Sequence, residues 1–286
     1  MLESTLVLPL RWLGQAGFAL GDDENRLLVD VFRSEHELRL YPPPQDNAFL
    51  RTARWLLATH EHADHLDLPY LGRLIEDDNP ITVVVPADLR SMVLDAYPGA
   101  TVVGLAVGQS MNCGGAVVHA VSARHASVIE DGYEDSTPER SRWVGYVIEY
   151  NGVTVYHAGD TLASEQIVDD LSQFNIDIAL LPINGRDEMR ESNGIVGNMT
   201  GTEAAQLANR IRVRTIVPMH HDAIRGNTCL SGTVAEAVAE QGWDITVVNP
   251  ARDVDYAFTI EPRQRPRPSG TALEDSSCGA STADIA

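Results

Sequence analysis

Short apolar runs separated by polar, turn-rich segments recur along the first 260 residues. Runs of four to eight apolar residues between turn signals are typical of buried strands, whereas longer segments with apolar residues three or four apart indicate helices. The pattern predicts strands at 6–8, 16–20, 27–30, 55–58, 82–85, 102–105, 115–122, 144–150, 153–156, 178–181, 215–219 and 245–248. It predicts helices at 69–76, 86–96, 164–174, from 200 onward and at 231–241. Strands that alternate with helices in this way indicate sheets covered by helices.

Two local signals sharpen this prediction. Asn151-Gly152 separates two predicted strands and is typical of a tight β-hairpin. Thr200 and Glu203 have the spacing of a capping box at the start of a helix. The backbone N–H groups of that helix start are also candidates to receive an anionic group of a substrate.

The composition changes near residue 261. The last part of the chain is rich in Pro, Ser, Gly and Ala and has too little apolar content to pack. We therefore predict one domain over residues 1–260 and a disordered C-terminal tail at 261–286. Cys278, which lies in that tail, is not expected to be functional.

The charge and the basic residues narrow the range of partners. The formal net charge is −20, and an acidic surface repels phosphate backbones, so we expect no long nucleic acid as a partner. All basic residues other than histidine are arginines, which excludes Schiff-base and lysine-base chemistry. Arg124, Arg186 and Arg225 are the arginines near the loops that carry the candidate ligands, and each is expected to be a surface or salt-bridge arginine rather than a clamp for an anionic substrate.

The cysteines and the termini suggest a compartment. Cys113, Cys229 and Cys278 are far apart and form no C-x-x-C motif, which favours a reducing environment. The N-terminus lacks the pattern of a signal peptide, and no apolar run approaches the roughly 20 residues that span a bilayer. We expect a cytoplasmic protein that does not contact the membrane.

A dense group of metal-binding residue types follows the strand predicted at 55–58. His60, His62, Asp64 and His65 lie within six residues, in the pattern H-x-H-x-D-H. His60 and His62 are two residues apart, so an extended backbone directs both side chains to the same side. Neutral imidazole is the commonest metal ligand, and a carboxylate adds charge neutralisation. This stretch predicts a metal site at the end of the strand.

Three more predicted strands end in such residues, namely His125, Asp160 and His220. The seven candidates divide into two sets. We expect His60, His62 and His125 to hold one ion. We expect Asp64, His65 and His220 to hold a second ion, with Asp160 bridging the two.

Two divalent ions about 3.5–4 Å apart would share a water or hydroxide, lower its pKa and polarise a substrate oxygen. Ligands that are all nitrogen or oxygen suit Zn²⁺, Mn²⁺ or Fe²⁺. Asp64 is a candidate to hold the water and accept its proton. His221 is a second catalytic candidate, either as the acid that protonates the leaving group or as a substrate contact; a structural role is the alternative.

Three other histidines and one loop are predicted to lie outside the set of ligands. His157 is expected to support the site through a hydrogen bond, His119 to be a packed residue or a support behind the ligands, and His36 to be an ordinary surface residue. Residues 130–142 are charged and turn-rich, and they form either a flap over the site or a surface excursion.

With these motifs the sequence resembles the metallo-β-lactamase-fold hydrolases over nearly the whole chain to about residue 260. The resemblance implies a mixed α/β fold, a four-layer αββα sandwich with two facing sheets, helices outside and metals at one edge. Within that superfamily, the segments 12–14, 57–67, 156–160 and 216–222 look most like the L-ascorbate-6-phosphate lactonase family. That likeness implies that metal-bound hydroxide opens a lactone ring, with manganese or zinc as the metal. It also implies a small-molecule substrate, and homo-oligomers are common among such proteins. His125 departs from that family and matches the commoner superfamily pattern.

Three other functions stay open at this point. The same ligands can hydrolyse phosphate esters, which suits a nuclease or a small-phosphodiester or cyclic-nucleotide phosphodiesterase. A di-iron redox protein of the same fold is opposed by His62, since a Glu is expected at that position. A non-catalytic metal-binding module is opposed by the complete set of ligands.

Overall fold

Two β-sheets of seven strands each form the centre of the protein. The computed structural model describes residues 6–43, 48–76 and 80–261, so the predicted tail from residue 262 onward, with Cys278, lies outside the described residues. The strands are β1 (Leu6–Gly14), β2 (Gly17–Leu20), β3 (Leu27–Val29), β4 (Trp55–Leu57), β5 (Thr82–Pro86), β6 (Thr101–Leu105), β7 (Ser110–Cys113), β8 (Ala116–Val121), β9 (Arg124–His125), β10 (Glu134–Asp135), β11 (Gly145–Tyr150), β12 (Val153–His157), β13 (Ile178–Pro182), β14 (Thr215–Met219), β15 (Thr246–Val247) and β16 (Asp255–Ile260). The helices are α1 (Ala48–Arg51), α2 (Leu68–Glu76), α3 (Arg90–Ala96), α4 (Glu165–Leu171), α5 (Glu188–Ser192), α6 (Gly201–Arg210) and α7 (Gly232–Gln241).

Each sheet is antiparallel in one half and parallel in the other. The first has the order β16-β1-β2-β3-β4-β5-β6 and the second the order β15-β14-β13-β12-β11-β8-β7. Strands β3 to β6 are parallel to one another, as are β12 to β15. The carboxyl ends of parallel neighbours lie at the same edge of a sheet, so residues that follow β4, β12 and β14 can meet there.

The alternation of side chains along the strands produces the layers. On the first sheet, Leu57 and Val84 belong to the core shared with the second sheet, whereas Leu56 and Val83 pack with the residues of α2 and α3. Helices α4, α6 and α7 pack on the second sheet and add apolar residues, such as Leu207, to the cluster that its strands belong to. The αββα sandwich predicted from the sequence is therefore confirmed.

Both local signals are confirmed. Asn151 and Gly152 have positive φ and join β11 to β12, with Tyr150 paired with Val153. The Thr200 side chain accepts from the Glu203 N–H, and the Glu203 carboxylate accepts from the Thr200 N–H. A strand that the sequence analysis missed is β16, which pairs antiparallel with β1 at the edge of the first sheet.

Two features concern the cysteines and the length of the helices. Cys113 and Cys229 are free thiols. None of the helices within the described ranges is long and apolar enough to cross a membrane.

Candidate metal centre

Four chain segments bring the predicted ligands to one edge of the sandwich. His60 to His65 follow β4, and His125 ends β9. Asp160 follows β12, and His220 follows β14 directly. These segments come from both sheets, so the ligands gather at the edge where the two sheets face each other.

The first set of ligands consists of three imidazoles. His60 Nε2 lies 3.0 Å from His62 Nδ1, and His125 Nε2 lies 3.3 Å from the same atom. The candidate ligand atoms of this set and of Asp160 all lie within 4.8 Å of one another. His62 directs its other nitrogen, Nε2, at the Ser127 carbonyl at 2.9 Å, which leaves Nδ1 free of a proton for a metal.

The second set combines two imidazoles with carboxylates. His220 Nε2 is 3.2 Å from Asp64 Oδ2 and 3.2 Å from Asp160 Oδ1. His65 Nε2 is 3.2 Å from the same Asp160 oxygen. Asp160 is thus near both sets, as a bridging carboxylate requires.

The contacts within the sets fit metal ions. Ligands at about 2.0–2.1 Å around a tetrahedral Zn²⁺ stand about 3.3 Å from each other, close to the separations found here. His65 Nε2 and Asp160 Oδ1 are buried and have no hydrogen-bond partner within the described ranges. Buried polar atoms without partners are costly unless an ion or water satisfies them. The donor set therefore suits divalent cations.

Burial keeps the first set in the form that binds metal. Burial, with the neighbouring His65, His62 and His125, holds the pKa of His60 well below its usual value. Burial likewise lowers the pKa of His125 to about 3, although Asp160 opposes the shift. Both rings are neutral at physiological pH and have a lone pair to donate.

Carboxylates dominate the electrostatics of the second set. Burial opposes the ionised form of Asp160, but His220 and His65 hold its pKa well below the usual value. Burial also opposes the ionised form of Asp64, but His65 and His220 lower its pKa as well. Although burial alone lowers it, the Asp160, Asp30 and Asp64 carboxylates raise the pKa of His65 well above its usual value. This pocket of negative charge attracts protons, and a divalent cation would satisfy the same field.

Asp30 supports the ligands from behind, a role that the sequence analysis missed. Its carboxylate is fully buried and accepts from the Thr59 N–H at 2.8 Å and from the Thr59 hydroxyl at 2.7 Å. It also lies 2.7 Å from His65 Nδ1, so this nitrogen donates and Nε2 is left for the metal. The available signal was an aspartate directly after the apolar strand 27–29.

Gln15 is a second missed residue. It is fully buried, and its Nε2 lies 2.8 Å from Asp64 Oδ2 and 3.1 Å from His220 Nε2. Its carbonyl accepts from the His220 N–H, and its own N–H donates to Asp222. Gln15 therefore ties the turn after β1 to the ligand-bearing turn after β14. Nothing in its sequence position indicates this contact, which spans 205 residues.

A cavity of about 280 Å³ opens beside the ligands. His62, Asp64, Asp160 and His220 line one side of it. The remaining lining residues are His36, Ala63, Ser127, Gly194, Ile195, Val196, Ile224 and Asn227. A substrate in this cavity would touch the ligand cluster directly.

The other predicted site residues lie at different depths. His221 packs its ring against Trp12, with centroids 5.3 Å apart, and is not among the residues that line the cavity. The geometry therefore favours the structural role for His221 over proton donation to a leaving group. His157 is buried and donates from Nε2 to the Ala16 carbonyl at 2.8 Å, which fits the expected support by a hydrogen bond. His36 is exposed, as expected, but it lies at the cavity rim.

His119 lies away from the ligands. It is half-buried, 3.0 Å from Glu149 and in edge contact with Phe174. His119 is thus a packed residue rather than a support behind the ligands, because alternation along β8 turns this ring away from the core shared by the sheets.

The 130–142 loop contributes no side chain to the lining of this cavity. Its Glu134 pairs with His125 in the small sheet β9–β10, and Tyr133 binds Gly197 through its hydroxyl. The loop therefore supports the rim at 194–197 from behind, which favours the surface excursion over a flap.

Two of the three arginines considered as substrate clamps are already paired with carboxylates. Arg186 donates to both oxygens of Glu203 at 2.7 Å, and Arg124 pairs with Asp135. These two are salt-bridge arginines, as expected, and Arg225 is exposed. At the start of α6 the capping box uses the N–H groups of Thr200 and Glu203, and neither residue lines the cavity, so the reception of a substrate anion there stays a prediction.

Comparison with known proteins identifies the family. The sequence model of the β-lactamase superfamily domain matches residues 25–221, which include all seven candidate ligands. The chain belongs to the β-lactamase superfamily. The UPF0173 metal-dependent hydrolase of Thermococcus onnurineus is 30% identical over 223 residues, covering 76% of this chain and 85% of the relative. The chain is therefore a metal-dependent hydrolase of the superfamily.

Two solved structures share the fold of this chain. The metallo hydrolase Igni18 from Ignicoccus hospitalis aligns with a TM-score of 0.69 at 17% identity, covering 89% of this chain and 100% of the other. The isothiocyanate hydrolase from Delia radicum gut bacteria aligns with a TM-score of 0.68 at 18% identity, covering 88% and 100%. At these identities the likeness concerns the fold alone.

Proposed function

We propose that this superfamily hydrolase uses two divalent metal ions to hydrolyse a small ester or lactone. The observation that carries the proposal is the meeting of two donor sets at Asp160, beside a single cavity. The expected ions are Zn²⁺ or Mn²⁺, with Fe²⁺ also suited to nitrogen and oxygen donors. His60, His62 and His125 would hold one ion, Asp64, His65 and His220 the other, and Asp160 both.

When bound, the ions would lower the pKa of a water molecule and polarise the oxygen of the scissile group. Asp64 is the residue placed to move the proton. Its carboxylate lines the cavity, and Gln15 holds Oδ2 by a hydrogen bond at 2.8 Å. His220 Nε2 lies 3.2 Å from the same oxygen, and together with His65 it holds the carboxylate in its ionised form.

The size of the cavity favours a small substrate. Its volume of about 280 Å³ is near the lower limit of ligand pockets, which are commonly about 300–1,000 Å³. A nucleic-acid duplex is too wide to enter a cavity of this volume. The proposal also includes a cytoplasmic location, a small-molecule substrate and assembly into a homo-oligomer.

The test compares metal content and hydrolysis in three proteins. We expect the unaltered chain to bind two metal ions per molecule and to hydrolyse a γ-lactone or aryl ester faster than a bis-aryl phosphodiester. We expect His60→Ala and Asp160→Ala to lose both metal and hydrolysis while keeping the circular dichroism spectrum of the fold. His119→Ala is the control, since this histidine lies outside the ligand cluster. Full activity of both ligand variants, or faster phosphodiester cleavage, would overturn the proposal.

A further inference from the structure

Three asparagines form a buried chain that ends at the cavity. Asn198 Nδ2 donates to Asn184 Oδ1 at 2.9 Å, and Asn184 Nδ2 donates to Asn227 Oδ1 at 2.8 Å. Their exposed fractions are 0%, 2% and 6% in that order. Of the three, Asn227 is the one that lines the cavity beside Asp64 and His220.

The chain of donors determines which end of the Asn227 amide is available. Because Asn227 Oδ1 accepts from Asn184, its Nδ2 is the group left for another molecule. No described residue accepts a hydrogen bond from this Nδ2, whereas the lining places the side chain at the cavity. If all three amides were turned around, Asn227 would accept from the cavity instead of donating. The Nδ2 group of Asn198, with two N–H donors, would then stand where its buried Oδ1 has no partner, at a higher desolvation cost.

The other lining residues describe the rest of the ligand. Ile195, Val196 and Ile224 give the cavity an apolar side. No arginine is among its lining residues, and the chain has no lysine. Apart from the metal ligands, His36 at the rim is the one basic side chain of the lining. An anionic group remote from the metals would therefore be buried against apolar side chains at a high cost.

We infer that Asn227 donates a hydrogen bond from Nδ2 to the substrate oxygen, and that the site selects an uncharged carbonyl compound with an apolar substituent. This inference rests on the proposed function and assigns its substrate class. Asn227 acts on the substrate directly. Asn184 is a positioning residue, because it presents the correct end of the Asn227 amide to the cavity.

A preorganised donor of this kind contributes most when negative charge develops on the oxygen, and its loss costs about 10²-fold or more in turnover. In Asn227→Ala and Asn227→Asp, we expect kcat for an uncharged γ-lactone to fall about 10²-fold, with metal content unchanged. Asn184→Asp should have the same effect on kcat, because its carboxylate would accept from Asn227 Nδ2 and turn Oδ1 towards the substrate. Asn193→Ala is the matched control, since Asn193 is exposed and binds the Met189 carbonyl.

A binding measurement separates this inference from the proposed function. Titration calorimetry of the metal-loaded protein with an uncharged γ-lactam should show an affinity that falls about tenfold in Asn227→Ala and in Asn184→Asp. Unchanged lactam affinity in both variants would overturn the role of Asn227, even with an active enzyme. If the unaltered chain does not hydrolyse the lactone but the lactam affinities are as expected, the proposed function is overturned. The role of Asn227 in binding a carbonyl oxygen is then supported.

The predicted substrate class is tested by comparing an uncharged lactone with a charged one. We expect kcat/KM for the uncharged lactone to exceed that for the same lactone carrying a phosphate ester by at least about tenfold, the equivalent of one unfavourable desolvation of about 1.4 kcal/mol. Equal or faster turnover of the phosphorylated lactone would refute the selection of an uncharged substrate.

Discussion

Asp30→Asn should remove metal from one of the two sets while leaving the other intact. Asp30 has a φ of 48°, a left-handed conformation that Asn tolerates well, so the backbone should be preserved. The new amide can still accept from the Thr59 N–H through Oδ1. In place of the oxygen that lies 2.7 Å from His65 Nδ1, however, it would present an N–H donor.

This change moves the ring proton of His65 from Nδ1 to Nε2. Two donors cannot face each other, so the ring would accept at Nδ1 and carry its proton on Nε2. Nε2 is the atom 3.2 Å from Asp160 Oδ1, and a protonated nitrogen cannot bind a metal. Loss of such a supporting partner costs about 10–100-fold in metal affinity. At about 1.4 kcal/mol per tenfold, the loss is about 1.4–2.7 kcal/mol for the set that contains His65.

The assay is a titration of metal-free protein with Zn²⁺ or Mn²⁺ against a competing chelator. We expect one site of nearly unaltered affinity, from His60, His62 and His125, and one that is weakened. Asp67→Asn is the matched control. Asp67 is also buried, but it binds the backbone of residues 33, 34 and 70 and lies on no ligand.

Two sites of unaltered affinity in Asp30→Asn would refute the reasoning, because they would show that Asp30 does not set the proton position of His65. Equal weakening of both sites by Asp67→Asn would show that any buried aspartate in this region has the same general effect.

Three further predictions test the surroundings of the site. Gly159 has a φ of 61°, and a Cβ there would lie 2.7 Å from the Thr59 side chain, so Gly159→Ala should lower the free energy of unfolding by about 2 kcal/mol and weaken metal binding. Gly242→Ala, at similar φ with open space, is the control in urea unfolding, and an equal loss in both would exclude crowding as the cause. The Tyr133 hydroxyl binds both the carbonyl and the N–H of Gly197, so Tyr133→Phe should loosen the rim and raise KM severalfold at unchanged kcat, whereas Tyr150→Phe should leave KM unaltered; an unchanged KM in Tyr133→Phe would contradict this. The Arg186 guanidinium and the Thr200 N–H hold the pKa of Glu203 below its usual value, so its stabilisation is present above the unfolded pKa of about 4.3 and disappears as the pH falls through the folded value. Glu203→Gln should therefore cost about 1 kcal/mol at pH 7 in urea unfolding of the metal-free protein and close to nothing at low pH, and a gap independent of pH would refute the ion-pair explanation.

The sequence predicted the elements of the fold wherever local chemistry decides them. The Asn151-Gly152 turn and the Thr200–Glu203 cap are determined within four residues, and both are found where predicted. Strand β16 was missed because its residues alternate between exposed and half-buried and have no continuous apolar run. Its pairing with β1, some 250 residues earlier, supplies the partner that its own sequence does not indicate.

The candidate ligands could be named from the sequence because histidines and aspartates directly after buried strands are a dense and unusual pattern. Which atoms meet could not be predicted. The separations around Asp160 and the tautomers imposed by Asp30 and Ser127 arise only when two sheets face each other. The placement of His221 against Trp12 is likewise a result of packing between distant turns.

The sequence by itself thus determined the residue types of the metal centre, the layers of the fold and the absence of lysine chemistry. Only the tertiary structure decided which residues support the ligands and which line the cavity. Gln15, Asp30 and Asn227 carry these roles through contacts with residues far away along the chain. Such contacts depend on how strands are ordered and sheets are stacked, which no local pattern of polar and apolar residues specifies.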